Sequence, residues 1–295
     1  MEMIGQQKLW TFLDGKPGAQ TASVTTARTG PGHRVRSFVE LATKIAELQF
    51  RNNDYVLLFR GQGRDYRNQK GLTSLKTSLF RGSRGNPGEG TLQRRFEILE
   101  SAERLLSSIY AREEHLGKHR LARTRLVRWA ILQHYEVCPT PLLDVTHSLR
   151  IAASFATHGA ANESFIFVLG VPYLGGGMTA SAEAGLQAIR LSSVCPPSAV
   201  RPHLQEGYLL GEYPEMSGFQ QKTLYPHFEM DFGRRLIAKF RFDPREFWSD
   251  PNFPLVEAAA LYPSKEHDPL LRLSLEIKDA LPKASVKTSA TAAGV

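Results

Sequence analysis

The chain has 295 residues, 42% hydrophobic and 22% charged, enough apolar material for one large domain or two small ones. It holds no run of about 18 apolar residues that would cross a membrane, and Met1–Trp10 lacks the basic flank and apolar block of a secretory leader. A net charge of +8 suits an anionic partner, a nucleotide or nucleic acid, or else a scattered basic surface that serves only solubility. Two cysteines, Cys138 and Cys195, make neither a disulfide framework nor a metal-ligand spacing, so a reducing, cytoplasmic location is expected.

Residues 1–32 read as a flexible arm, because Thr21–Thr26 is small and polar and Gly30-Pro31-Gly32 interrupts regular structure. From 33 to 280 the pattern is that of one domain. Val35, Phe38, Val39, Ala42, Ile45 and Leu48 lie on one face of an amphipathic helix. Tyr55–Phe59 is short, apolar and β-prone, a buried strand that runs into Arg60-Gly61-Gln62. An arginine at that point can fork onto phosphate or carboxylate, or sit in a structural ion pair while the glycine serves a turn. Residues 65–90 are polar, basic and rich in glycine, so a long, mobile loop with few buried contacts is expected beside the site. Two helical faces follow, Leu92–Tyr110 and Leu121–His134, the second with Arg120, Arg123, Arg125 and Arg128 on its wet side. Ser164–Leu169 reads as a second buried strand and Ala180–Ala188 as a helical or irregular insertion. His203–Leu210 reads as the entry to a third strand and Leu236–Phe242 as an alternating fourth. Glu257–Leu261 and Pro269–Ala280 are helical, and 281–295 reads as a flexible tail. The predicted fold is α+β, a split mixed or antiparallel sheet with helices packed on its faces.

The stretch Leu132–Ser148 sets polar groups of several kinds between two apolar blocks, as a rigid scaffold does when it carries a site. Asp144-Val145-Thr146-His147-Ser148 is expected to open a helix, with Asp144 and Thr146 serving as N-caps or in chemistry. His134 is either a buried, hydrogen-bonded histidine or an acid–base group. A Cys138–His134 nucleophile pair stands against a small buried thiol. Gln133, His134 and His147 show no paired metal-ligand spacing, so no metal site is expected.

Phe59-Arg60-Gly61, Leu72-Thr73-Ser74-Leu75 with Leu79-Phe80-Arg81, Gln133-His134-Tyr135, Leu142–Thr146 and Ala152–Ala156 follow in one order. So do Gln205 with Gly207-Tyr208, and Leu261-Tyr262-Pro263 with Asp268-Pro269-Leu270. This series resembles the FRG domain family, named for its Phe-Arg-Gly triplet. It departs from that family at Pro141, where arginine is usual, and at Val145, where tryptophan is usual. The resemblance also implies an ADP-ribosyltransferase-like fold, through a weaker likeness. Arg60-Gly61, then Asp144-Val145-Thr146 before Ala152–Ala156, then Gln205-Glu206 before Tyr208, are similar to the three motifs of those enzymes in their order. That likeness implies NAD as substrate. Arg60 would take phosphate and Gly61 would offer backbone groups to the nicotinamide amide. Gln62, Asp144 and His134 would stand beside the cofactor, and Thr146 would brace Arg60 or the ribose. Glu206 or Gln205 would steady the ribose hydroxyls and the charge that develops there. ADP-ribosyl transfer to a protein or nucleic-acid target, or NAD hydrolysis, is the leading expectation. The alternative is a non-catalytic module that binds nucleic acid or a protein through the basic 64–90 loop. A hydrolase using His134 and Asp144 comes third.

Overall fold

The computed structural model describes residue 4 and residues 8–82, 85–160, 162–173, 175–224 and 230–282. Among these the strands are β1 Leu9–Phe12, β2 Ala19–Ala22, β3 His33–Arg34, β4 Val56–Gln62 and β5 Leu143–Thr146. They continue as β6 Ser164–Val171, β7 Met178–Ser181, β8 Leu186–Arg190, β9 Gly207–Glu212 and β10 Leu236–Phe242. β1 and β2 form a hairpin of their own. The other eight make one sheet in the order β3-β10-β6-β4-β5-β9-β8-β7. Only β3 against β10 is parallel, so the sheet is mixed and the fold is α+β.

β6 sits at the middle of its half, and its Phe-Ile-Phe-Val-Leu run is buried on both faces, which is why it reads as a continuous apolar block. Alternation along β4 serves two cores. Leu57 and Phe59 face one with Ile166, Phe240 and the helices Phe38–Arg51 and Leu149–His158. Leu58 faces the other with Phe167, Leu143, Leu210, Phe80 and Phe96. A third cluster surrounds Trp129 between the helices Glu89–Arg112, Arg125–His134 and Pro269–Ala280. There Glu103 is buried at 5% exposure and accepts from Arg125, Arg128 and the Trp129 indole, so part of the expected wet arginine row is an internal network.

Three expectations are corrected. The segment expected to be a loose arm is built into the core over residues 9–29. Leu9, Phe12 and Val24 are buried, the Phe12 ring lies 5.9 Å from Phe240, and Ser23 caps the helix Val24–Thr29. The anchor is Arg28, whose Nη2 meets Asp231 at 2.6 Å with both side chains almost fully buried. The loop expected to have few buried contacts has a buried middle. Thr73, Leu75, Thr77, Leu79 and Phe80 are each at most 2% exposed. Leu75 N–H donates to Asp231 Oδ1 at 2.8 Å, and Leu79 N–H to the Thr140 carbonyl at 3.1 Å. Ala180–Ala188 is no helix but the end of β7, the turn and the start of β8 in the β7–β8 hairpin. Most of the expected C-terminal tail, 283–295, lies outside the described residues.

Candidate functional site

β4 and β5 pair only where Phe59 faces Thr146. Beyond that point β4 stays on β6, with Arg60 opposite Phe167, while β5 stays on β9, with Asp144 opposite Leu209. The sheet is therefore split, and the split opens into a cavity of about 290 Å³. Arg60 and Gly61 border it from one strand, Asp144 and Thr146 from the other, and Gln133 and His134 from the end of the helix Arg125–His134. A cleft at a break in a sheet, of a size near that of small ligand pockets, is the default place for a site.

Arg60 spans the gap. Its Nη1 donates to the Asp144 carbonyl at 2.6 Å, while its buried Nε has no partner among the described residues. Burial, opposed by Asp144, pushes its pKa down to about 10, so it remains a cation at neutral pH. The Asp144 carboxylate accepts from Gln133 Nε2 at 2.6 Å and stands 3.7 Å from His134 Nδ1. Burial disfavours its charge, but His134, Arg60 and the Gln133 amide outweigh that and hold the carboxyl below the usual range. Gln133 is itself held by the Thr140 and Ser78 hydroxyls, which donate to its Oε1. The Leu132–Ser148 stretch is thus a chain of hydrogen bonds that ends on one carboxylate. His134 is 3% exposed, and burial, opposed by Asp144, lowers its pKa, so its neutral form prevails.

Asp144 and Thr146 do not cap a helix. Both lie on β5, and the next helix, Leu149–His158, begins after Ser148. The Thr146 hydroxyl lies 2.9 Å from the Gln205 carbonyl and 3.2 Å from that of Glu206, and accepts from Ser148 N–H at 3.0 Å. It secures a turn and does not brace Arg60. Gln205 and Glu206 precede β9, so the question of which strand face they take does not arise. Gln205 borders the cavity, but its amide is spent on the Leu261 carbonyl at 2.8 Å. Glu206 is exposed, has a left-handed φ of 46°, and does not border the cavity. Gln62 does not border it either. Gly61 does, yet its lack of a side chain has a packing cause. A Cβ there would lie 1.7 Å from the Ala152 carbonyl oxygen of the overlying helix. Cys138 is no paired nucleophile, since burial pushes its thiol up to about 12. Among the described residues no group of three or more His, Cys, Asp or Glu is placed to hold a metal ion.

The cavity also takes residues that the sequence did not assign to it: Arg81, expected only in the nucleic-acid role of the basic 64–90 loop, and Arg201 and Tyr262, given no role. Arg81 ends the short 3-10 turn Ser78–Phe80. Arg201 donates to Glu136 at 2.8 Å and lies 4.7 Å over the Tyr262 ring, which in turn meets Phe155 edge-on at 6.0 Å. Arg81 and Tyr262 both fall in segments that carry the family likeness; Arg201 lies in no such segment and had no local signal.

A family model described as FRG domain matches residues 56–164. The chain carries an FRG domain. The match begins with β4 and ends at the first residue of β6, so the FRG domain supplies both lips of the cleft, including Arg60, Gln133, His134 and Asp144. Arg201, Tyr208 and Tyr262 close the same cavity from beyond the FRG match. Comparison with curated proteins and with solved structures gave no match.

Proposed function

We propose that the split-sheet cleft binds NAD and promotes loss of its nicotinamide, by ADP-ribosyl transfer or by hydrolysis. The observation that carries this reading is the facing pair across the split. Arg60 is a cation with an unused buried donor, and Asp144 is a carboxylate fixed by the Gln133 amide and kept charged. When the nicotinamide–ribose bond breaks, nicotinamide leaves neutral with the bonding electron pair, and positive charge develops on the ribose. A carboxylate fixed in advance beside that carbon stabilises the charge without reorganising. Asp144 suits this role better than Glu206, whose side chain stands outside the cavity. In this reading Arg60 holds a phosphate oxygen.

The test is a calorimetric titration with NAD, paired with an assay of nicotinamide release. Arg60→Ala is expected to weaken binding by about tenfold or more. Asp144→Asn is expected to lower nicotinamide release by about 10²–10³ while NAD affinity stays within a few fold. Glu206→Gln should change neither. If wild-type protein binds NAD but releases no nicotinamide and modifies nothing in a cell extract, the cleft is a sensor. If it binds no NAD, the reading fails.

The nucleic-acid alternative has less support. The Arg67 guanidinium is spent on the carbonyls of Thr29, Gly30 and Gly71 and on Asp65, and Lys76 holds Asn86. Arg84 lies outside the described residues.

A further inference from the structure

The charges bordering the cleft do not cancel. Of its three arginines, Arg201 is paired with Glu136 at 2.8 Å. The Asp144 carboxylate accepts from the Gln133 amide and lies 3.7 Å from His134, and its backbone carbonyl accepts from Arg60. No carboxylate among the described residues pairs with Arg81. Among the described residues its guanidinium makes one hydrogen bond, to the Lys76 carbonyl at 3.0 Å. Arg60 and Arg81 therefore border the same cavity as two guanidinium groups with unfilled donors.

Arg81 is brought there by a rigid support. Arg95, on the helix Glu89–Arg112, donates from Nη1 to three carbonyls of the turn: Ser78 at 3.2 Å, Leu79 at 2.7 Å and Arg81 at 2.9 Å. Leu79 and Phe80, just before Arg81, are buried to 1% exposure or less. A third cation thus holds the backbone of the second. The charge of Arg81 disfavours protonation of both Arg60 and Arg95, after burial itself. Gathering like charges costs free energy, and an anion bound between them relieves that cost.

We infer that Arg81 and Arg60 together form a subsite for a phosphate ester, the phosphate end of the ligand proposed above. This rests on the reading of the cleft as a nucleotide site and adds the residue that reading lacks. Two arginines from different segments can each fork onto the oxygens of a pyrophosphate, which a single cation cannot do. The ring end of the ligand then falls to Tyr262 and Phe155, which line the same cavity.

Three probes separate the parts: inorganic pyrophosphate, ADP-ribose and nicotinamide riboside, which lacks phosphate. Arg81 is exposed, so Arg81→Ala should fold, and thermal melting checks that it does. The variant is expected to bind pyrophosphate and ADP-ribose about tenfold more weakly and to bind nicotinamide riboside as wild type does. Arg81→Lys should recover part of the loss, since it restores charge without the fork. Wild-type affinity for ADP-ribose should fall as salt rises, and the Arg81→Ala variant should respond less. Equal binding of ADP-ribose by wild type and Arg81→Ala overturns the subsite, as does wild type that binds neither phosphate probe. Pyrophosphate binding that depends on Arg81, in a protein that binds no NAD, upholds the subsite and removes the NAD reading.

Discussion

Gly61 shows how one atom fixes a site. The helix Leu149–His158 brings the Ala152 carbonyl to 1.7 Å from where a Cβ would be, and backbone cannot turn aside as a side chain can. Gly61→Ala should therefore cost about 3 kcal/mol or more, seen as a lower urea midpoint. Full stability in that variant would mean that helix and strand are not held this closely. His134 makes a second prediction. Its pKa is lowered on folding from an ordinary value of 6.5, so the unfolded chain takes up its proton first as pH falls. The stability it contributes is complete above about pH 6.5 and is lost as pH falls toward the folded pKa. His134→Gln should flatten the pH dependence of the urea midpoint below about pH 6.5; an unchanged slope would show that this group is not its source. At this scale the sequence placed Arg60 just past a buried apolar run, although β4 itself continues to Gln62, and placed Asp144 in the stretch that borders the cleft, because both features are local. The misplacement of Glu206 came from starting β9 at His203, four residues too early. A left-handed φ at a non-glycine residue is decided by the turn it closes, and nothing in the glutamate announces it.

Among the elements, periodic ones were legible and the pinned loop was not. Strands near 56, 164, 207 and 236 and the long helices follow from apolar spacing. The Leu72–Phe80 segment lacks any period, and what holds it lies far along the chain. Asp231 accepts from Leu75 N–H, from Gly233 N–H and from Arg28, so one carboxylate ties together three segments. Amides of Leu75 and Leu79 should then exchange with deuterium as slowly as those of Leu57 and Leu58 in β4. Asp231→Ala should cost about 3 kcal/mol, because it strands a buried arginine, and should speed exchange at Leu75 before the strands respond. Exchange at Leu75 as fast as in an exposed loop of the wild-type protein would contradict this picture.

For the molecule as a whole, the arm-like composition of the first 32 residues concealed a structural part. Small polar residues such as Thr21–Thr26 look dispensable in isolation, yet they connect Phe12 and Arg28, both of which are buried against β10 and its approach. Removing residues 1–32 should uncover Phe240 and its neighbours, strip Asp231 of its cation and take the parallel edge contact of β3 to the next residue. Such a truncation is expected to melt well below the full chain, or to aggregate, in a thermal scan. Equal melting would return the segment to the status of an arm.

The split in the sheet has one more consequence, a mechanical one. Within the sheet its two halves are fastened by a single backbone pair, Phe59 with Thr146, and by one guanidinium laid across to the Asp144 carbonyl. Such a fastening is a clasp rather than a weld. An anion bound to the free Nε of Arg60 would pull on the same side chain that reaches that carbonyl, so filling the cleft would load the clasp. The arginine proposed to meet the ligand is also the rivet between the halves, so the grip of one would be the slack of the other.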